Sequence, residues 1–292
     1  MTPVTETTGP ARQHARESAS TEILRWRAGN APRAEMDDVA REEPLEIRVD
    51  GRSVAVTMRT PGHDKELAAG FLLSEGLILK KGDLREIAHD RGCEVEHGEN
   101  ILNIFLSPEV EIDFKRLTRH VFASSSCGVC GKASIGAVHQ HFAPVESRFA
   151  VAMEKIIRMP GLLREAQEIF SKTGGLHAAA IFDRNERLLV LHEDVGRHNA
   201  LDKVLGFGLF ENVLPFDSHV LLVSGRASFE IMQKALAGGI PIVCAVSAPS
   251  SLAVEFARES GQTLVGFLRG DTMNIYSHPE RITGHKAEPQ SK

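Results

Sequence analysis

Residues 218–270 read SHVLLVSGRASFEIMQKALAGGIPIVCAVSAPSSLAVEFARESGQTLVGFLRG. Three apolar runs of strand length, VLLV, IPIVCAV and TLVGFL, are separated by stretches in which apolar residues recur with a helical spacing. A chain that alternates strands with helices in this way builds a largely parallel sheet, and the helices cover that sheet. We therefore predict an α/β fold for this part of the chain.

The residues before this stretch predict one more helix and a β-hairpin. In GLLREAQEIFSKTGG, apolar residues recur on one side of a helix, and Gly174 is expected to follow its last residue. HAAAIFDRNERLLVLHED predicts two strands joined by a turn over residues 183–187. Together these segments predict a C-terminal α/β domain over residues 119–285.

The N-terminal part predicts a smaller α+β domain. EEPLEIRVDGRSVAVTMRT contains the hairpin signal Asp50-Gly51, PGHDKELAAGFLLSEGLI predicts a helix, and NILNIFLSP predicts another strand. Residues 1–34 show no sustained apolar period, which is typical of a disordered tail, and order is expected to begin near Glu42. We predict a tail over residues 1–34, the small domain over 35–118, and a second tail over 286–292.

Composition excludes several classes of protein. A net charge of −5 over 292 residues argues against general nucleic-acid binding. No apolar run approaches the roughly 18 residues that a membrane span needs, and the N-terminus lacks the apolar region of a signal peptide. The four cysteines are sparse and unevenly spaced, unlike those of a secreted disulfide framework. We expect a cytoplasmic protein with reduced thiols and no membrane partner.

SSSCGVCGKAS, residues 124–134, contains a C-x-x-C pair, Cys127 and Cys130. A structural zinc site needs four ligands, and only Cys93, His89 and His97 could complete the set from a distant polar stretch, so we expect no metal. The zinc deaminase pattern also fails, because no proline precedes Cys127. Two buried structural cysteines remain an alternative, although the serines and glycines around them favour exposure.

A reactive pair fits this stretch better. A thiolate is the nucleophile, and a nearby cation or helix N-terminus lowers the pKa of a thiol. Lys132 follows the pair, and a helix is predicted to start beside it. Such a loop suits either a sulfur carrier or a dithiol that closes to a disulfide. Cys244, inside the apolar run IPIVCAVS, is predicted to be a plain core residue.

Polar turns follow the apolar runs of residues 218–270. In an α/β sheet, a helix N-terminus behind a strand is a natural phosphate site, although a capped helix with nothing bound is at least as common. Arg269, Gly270 and Asp271 stand at the end of the third run. Three such turns in one sheet favour a ligand-binding edge. The candidate donors in the first turn are Ser224, Gly225, Arg226 and Ser228.

EDVGRHNALDKVLG brings Glu193, Asp194, Arg197 and His198 together within six residues. Acid–base or metal chemistry is one interpretation of this cluster. The other is the start of a helix, where acidic residues are expected because of the helix dipole. His177 stands just before a predicted strand, where a lone histidine is more often structural than catalytic.

Six of these motifs occur in an order that resembles a known family. They are MRTPGHDKELAAGFLLSEGLI, SSCGVCGKAS, TGGLHAAA, EDVGRHNALDKVLG, SGRASFEIMQKALAGGIPIV and LVGFLRGDTMNIYS. The chain resembles the formate dehydrogenase accessory protein family, FdhD, whose members are also described as sulfur carrier proteins. The resemblance covers roughly residues 42–283.

The resemblance implies a sulfurtransferase function. Members of the family accept sulfur from a cysteine desulfurase and pass it to the molybdenum bis-guanine-dinucleotide cofactor that formate dehydrogenase needs. The resemblance also implies a homodimer and a cytidine deaminase-like, three-layer fold for the larger domain. The rivals are a dithiol redox protein using Cys127 and Cys130, and a chaperone that only presents the cofactor.

Residue by residue, Cys127 matches the family's persulfide-forming cysteine, and Cys130 matches the second cysteine of its motif. FLRGDT matches the segment assigned to cofactor binding. His177, Asp194 and His198 are expected to shape the same site. The residues that we expect to bind the cofactor are Phe267, Leu268, Arg269, Gly270, Asp271 and Thr272, with Arg226 and Ser224 added from the turn after the first strand.

Overall fold

The computed structural model describes residues 17–90, 98–112 and 142–284, which form a mixed α/β fold. The helices within these ranges are α1 (Asp64–Ser74), α2 (Met153–Ala166), α3 (Glu168–Thr173), α4 (Arg197–Phe210), α5 (Phe229–Ala237) and α6 (Ser251–Glu259). The strands are β1 (Ser18–Arg25), β2 (Arg33–Ala40), β3 (Glu43–Val49), β4 (Arg52–Arg59), β5 (Leu84–His89), β6 (Ile101–Leu106), β7 (Val151–Ala152), β8 (His177–Phe182), β9 (Leu188–Asp194), β10 (Val220–Val223), β11 (Ile242–Ala245), β12 (Thr263–Arg269), β13 (Thr272–Ser277) and β14 (Ile282–Thr283). No helix of the described residues is long and apolar enough to span a membrane.

A six-stranded sheet, in the order β13-β12-β11-β10-β8-β9, forms the centre of the C-terminal part. The pairs β10–β11 and β11–β12 are parallel, as the alternation of strands and helices predicts. The pairs β8–β9, β8–β10 and β12–β13 are antiparallel, so the prediction of a largely parallel sheet is wrong. The reason is that tight turns, and no crossover helices, join β8 to β9 and β12 to β13.

Both faces of the sheet are covered, which gives three layers. Alternate strand residues point to opposite faces: Leu221 and Val243 join the core on the side of α4, α5 and α6, whereas Leu222 and Cys244 join a second core against α2. The fold class is therefore mixed α/β, and the closer likeness to cytidine deaminases stays a prediction.

The N-terminal part contains a second sheet, in the order β4-β3-β6-β5, and α1 connects it to the larger sheet. The β3–β4 hairpin turns at Asp50 and Gly51, and both residues have positive φ, as their sequence signal predicts. Buried residues of α1 and of the small sheet belong to the same core cluster as α4, α5 and α6. The two parts of the chain are therefore packed on one continuous core.

A two-stranded hairpin, β1–β2, occupies residues that we expected to be a disordered tail. The prediction for residues 18–34 is corrected, and order begins well before Glu42. No residue of either strand is buried. Because neither strand has a buried face, its sequence needs no apolar alternation, and the usual sequence signal of a strand is missing. Leu24 and Met36, for example, are 70% and 63% exposed.

The predicted single helix over GLLREAQEIFSKTGG is in fact the end of α2 followed by the short α3. The break is at Gln167, and the backbone N–H groups of Ile169 and Phe170 donate to the two carboxylate oxygens of Glu193, both at 2.9 Å. A carboxylate that accepts the first amides of a helix favours a new helix start. Gly174 ends α3 with φ of 68°, as predicted.

Candidate functional site

The carboxyl ends of β9, β10, β11 and β12 lie at one edge of the large sheet. β10, β11 and β12 are mutually parallel, and β9 has the same direction because β8 pairs antiparallel with both β9 and β10. The turns that follow these four strands therefore lie at this edge, and so does the first residue of β8. In open α/β sheets, ligands bind at such an edge.

Strand register places three candidate residues side by side at this edge. Val223 lies opposite Ala179, and His177 lies opposite Asp194. One residue beyond β10, the Ser224 amide donates to the Ala178 carbonyl at 3.0 Å, and the Ser224 hydroxyl accepts from the Ala178 amide at 2.9 Å. Ser224 thus ties β10 to β8, and its hydroxyl proton is left to donate.

The segment from Phe267 to Thr272 closes the other side of the edge. Cys244 pairs with Val265, so Phe267 lies one residue beyond the end of β11, where its amide donates to the Ser247 carbonyl at 3.1 Å. Phe267 has φ of 51°, at a register irregularity between β12 and β13. The positive φ of Phe267 is uncommon for a residue other than glycine, and such backbone positions occur often at functional sites.

Residues of this segment differ in what they offer a ligand. Arg269, Gly270, Asp271 and Thr272 are exposed, and the Arg269 guanidinium lies 5.4 Å from the centroid of the Phe267 ring. Leu268 is fully buried in the core on the α2 side. Its side chain cannot reach a ligand, so any contribution of Leu268 to cofactor binding comes from its backbone.

Asp194 and Glu193 have structural roles. Asp194 is fully buried and accepts hydrogen bonds from the Thr60 and Gly196 amides at 3.1 and 2.8 Å. Its carboxylate also lies 2.8 Å from the ammonium of the buried Lys203. Glu193 accepts the first amides of α3. The helix-start interpretation of this cluster does not hold for α4, whose first turn contains no acidic residue. Glu193 instead serves the start of α3, and Asp194 fixes the loop that carries Arg197 and His198.

His198 and His177 face the first turn after β10. The His198 Nε2 lies 3.4 Å from the Ser228 hydroxyl and 3.2 Å from the Glu230 carboxylate. Burial, and next the charge of Arg197, lowers the pKa of His198 to about 3. The same two causes, in the same order, lower the pKa of the half-buried His177. Both imidazoles are therefore neutral near pH 7.

Three arginines at this edge lack a carboxylate partner among the described residues. Arg226 and Arg269 are exposed, and Arg197, the first residue of α4, is half-buried with an Nε that has neither a hydrogen-bond partner nor access to water. The sequence placed Arg197 in a polar cluster without assigning it to a binding site. Only the fold shows that its neighbouring acids are occupied elsewhere.

The predicted catalytic residues Cys127 and Cys130, as well as Cys93 and His97, lie outside the described residues. Within the part of the chain that is described, no group of three or more metal-ligating side chains is arranged to hold an ion. Cys244 is fully buried, and burial raises the pKa of its thiol, which confirms that it is a core residue.

Sequence comparison places the chain in a family. A model of the FdhD/NarQ family matches residues 40–283. The chain belongs to the FdhD/NarQ family. The match spans both sheets, the strand-end turns and the C-x-x-C motif.

Several curated relatives are similar over most of their length. The sulfur carrier protein FdhD of Mycolicibacterium paratuberculosis is 52% identical over 82% of this chain and 90% of its own. The sulfur carrier protein FdhD of Mycobacterium tuberculosis is 51% identical over 85% and 92%. An archaeal relative of the same name, from Saccharolobus solfataricus, is 45% identical over 84% and 91%.

A solved structure has the same overall fold. The crystal structure of a putative formate dehydrogenase accessory protein from Desulfotalea psychrophila superposes with a TM-score of 0.69 at 27% identity. The similarity covers 91% of this chain and 99% of that one. The arrangement of sheets and helices described above is therefore similar to that of this protein.

Proposed function

We propose that this protein is a sulfur carrier that acts in the maturation of formate dehydrogenase. The main support for this proposal is the similarity to curated sulfur carrier proteins, which are about 50% identical to this chain over about nine-tenths of their own length. The C-x-x-C pair lies inside the matched range. We propose that Cys127 receives the sulfur from the donor. The molybdenum bis-guanine-dinucleotide cofactor then receives that sulfur from Cys127.

Sulfur enters by exchange chemistry of the thiol–disulfide type. The Cys127 thiolate attacks the outer sulfur of a persulfide on a cysteine desulfurase. A new S–S bond forms on Cys127, the S–S bond of the donor breaks, and the donor cysteine leaves as a thiolate. The exchange involves no net oxidation or reduction.

Release of sulfide needs two electrons, and Cys130 can supply them together with Cys127. The Cys130 thiolate attacks the inner sulfur of the persulfide, forms a disulfide with Cys127 and expels HS⁻, which is delivered to the molybdenum cofactor. A cellular thiol then reduces the disulfide. This assignment makes Cys130 necessary for release of sulfur but not for its acceptance.

The sheet edge supports the proposal because it suits a ligand that carries phosphates. Arginine binds phosphate oxygens through a planar fork of donors, and Arg197, Arg226 and Arg269 are all without carboxylate partners among the described residues. The turns after β10 and β11, at the same edge, contain Ser224, Gly225 and Ser247. We expect the cofactor to bind there as substrate and the protein to act as a homodimer.

Intact mass spectrometry after incubation with a cysteine desulfurase and cysteine tests the proposal. The wild-type chain should gain one sulfur that a reductant removes, Cys127→Ala should gain none, and Cys130→Ala should retain the added sulfur. A loss of two hydrogens in place of the gain would indicate a dithiol redox protein. The absence of any change would leave only a passive, cofactor-presenting role.

A further inference from the structure

The β1–β2 hairpin, residues 18–40, forms an arm that buries none of its own side chains. Its base is held in place: the Arg41 amide donates to the Glu17 carbonyl at 2.9 Å, Ala40 lies beside Gly175, and β2 contacts α3. A two-stranded hairpin without a buried face is only marginally stable in water. A surface that covers the arm would therefore stabilise it.

The tip of the arm carries the single tryptophan of the chain. Trp26 is 73% exposed, and its indole N–H donates to the Asn30 carbonyl at 3.0 Å. The Asn30 amide donates to the Arg27 carbonyl at 3.0 Å, and Gly29 supplies a φ of 82° within the turn. The turn is held by its own hydrogen bonds while a large aromatic side chain faces solvent. Exposed tryptophans in a preformed structure contribute strongly to binding at protein interfaces.

One face of the arm is electrostatically closed. Strand register places Arg25, Glu35 and Asp37 on the same side of the hairpin. Arg25 forms ion pairs with both acids. The charged groups of this face therefore already have partners within the arm.

The other face is open and combines apolar with acidic side chains. Its successive cross-strand pairs are Leu24 with Ala34, Glu22 with Met36, and Ser20 with Asp38. Leu24 and Met36 are largely exposed, and neither Glu22 nor Asp38 has an ion-pair partner among the described residues. The apolar side chains lie toward the tip and the uncompensated acids lie toward the base. This face complements an apolar groove that has lysine or arginine at its rim.

We propose that the arm docks into an apolar, basic-rimmed groove on the cysteine desulfurase that supplies the sulfur. The inference rests on the proposed function, in which Cys127 attacks a persulfide on the donor. That exchange requires two protein chains to meet, whereas the cofactor is expected to bind to this chain as substrate. The arm also precedes residue 40, where the match to the family model begins. It is therefore a docking surface separate from the matched region.

The charge of the open face disfavours other occupants. A second copy of this chain that paired the same face would add two more acids and no cation to the contact. Anionic lipids and nucleic acids would be repelled by Glu22 and Asp38. A protein partner with a basic surface fits best.

Calorimetric titration of the full chain with a purified cysteine desulfurase tests the arm. Trp26→Ala should weaken binding by about tenfold or more, because it removes the preformed aromatic side chain. The affinity of the wild type should fall as salt is added, and that of Glu22→Lys should start lower and depend less on salt. Melting temperatures should not change, because both side chains are exposed.

The chain offers a matched control for each kind of substitution. Leu24 and Leu79 are 70% and 69% exposed, but Leu79 lies between α1 and β5, outside the arm. Leu24→Ser should weaken binding, whereas Leu79→Ser should not. Glu211, an exposed acid just after α4, serves in the same way for Glu22, and Glu211→Lys should bind as the wild type does.

Sulfur loading separates the arm from the chemistry at Cys127. Trp26→Ala should raise the concentration of chain that gives half-maximal loading and should leave the final gain of one sulfur intact. Normal loading of the wild type, with unchanged binding and half-saturation in Trp26→Ala, would overturn the arm and leave the sulfur carrier standing. Binding that depends on Trp26 without any loading would remove the carrier and leave the arm.

Two further results would give the arm a different occupant and overturn the proposal. A change of oligomeric state in Trp26→Ala, measured by sedimentation, would assign the arm to a second copy of the chain. Weaker binding of Trp26→Ala to formate dehydrogenase, with unchanged binding to the desulfurase, would assign it to the dehydrogenase. A wild-type chain that does not bind the desulfurase would also overturn it.

Discussion

Gly206 of α4 lies directly against the backbone of α1, such that a β-carbon at Gly206 would be 1.9 Å from the carbonyl oxygen of Glu66. The contact is reciprocal, because a β-carbon at Gly70 of α1 would be 1.8 Å from the carbonyl oxygen of Asp202. Two glycines therefore let the helices touch along their backbones. This contact joins the N-terminal sheet to the helix whose first residue, Arg197, lies at the candidate site.

Gly206→Ala should destabilise the protein by about 3 kcal/mol or more, because the methyl group forces α1 and α4 apart. Gly161→Ala is the matched control, since Gly161 also lies inside a helix, α2, and its β-carbon would meet nothing within 4 Å. That variant should be neutral or more stable by up to about 1 kcal/mol. Urea unfolding of both variants measures the two free energies of unfolding. Similar unfolding midpoints for Gly206→Ala and Gly161→Ala would contradict the backbone contact.

Lys203→Met should cost about 3–5 kcal/mol of stability, because it leaves the carboxylate of Asp194 buried without its cation. The Lys203 ammonium also donates to the Thr60 carbonyl at 2.9 Å, so the loop after β4 loses an anchor as well. The double variant Lys203→Met with Asp194→Asn should lose less stability than the sum of the losses in the two single variants. Arg158→Met, which breaks an exposed pair with Glu186, should have a much smaller effect. Additive losses would show that the pair is not coupled.

Stability should fall as the pH drops below the ordinary pKa of histidine. Burial, followed by the charge of His63, lowers the pKa of His192 from 6.5 to about 3. A group whose folded pKa is depressed contributes fully above its unfolded pKa, and that contribution is lost as the pH falls from 6.5 toward 3. Between pH 7 and pH 5, His192 alone should account for about 2 kcal/mol of lost stability.

His192→Leu isolates this contribution from the other titrating groups. The free energy of unfolding should fall less steeply between pH 7 and pH 5 in the variant than in the wild type. NMR titration of the wild-type imidazole gives an independent reading. A ring that protonates near pH 6.5 in the folded protein would contradict the predicted pH dependence.

Cys244 should not react with alkylating reagents in the folded protein, because its thiol is fully buried and burial raises its pKa. Peptide mapping after brief treatment with iodoacetamide, with and without denaturant, measures this. Cys244→Ser should still accept sulfur on Cys127. Alkylation of Cys244 in the native chain at the rate of Cys127 would refute its assignment to the core.

The sequence predicts the elements that bury an apolar face. The runs that became β10, β11 and β12 are continuous and apolar, and Asp50-Gly51 and Gly174 mark positions where the backbone needs positive φ. The candidate edge could be located by the same reasoning, since the carboxyl ends of parallel strands meet at one edge; that it binds a ligand stays a prediction.

Features that depend on tertiary contacts could not be predicted from the sequence. β1 and β2 bury no side chain, and the break at Gln167 depends on the distant carboxylate of Glu193. A glycine inside a helix, such as Gly206, lowers helix propensity, and only the packing of α1 against it explains why it is there. Arg197 becomes a candidate only once its acidic neighbours are seen to have other partners.

Transfer of labelled sulfur in a single turnover tests the central claim most directly. The chain is loaded with ³⁵S by a cysteine desulfurase, the donor is removed, and formate dehydrogenase that contains unsulfurated molybdenum cofactor is added. We predict that the label moves from Cys127 to the cofactor and that dehydrogenase activity appears in proportion, while Cys127→Ala supports neither. Label that stays on the chain, or activity that appears equally with Cys127→Ala, would contradict the account.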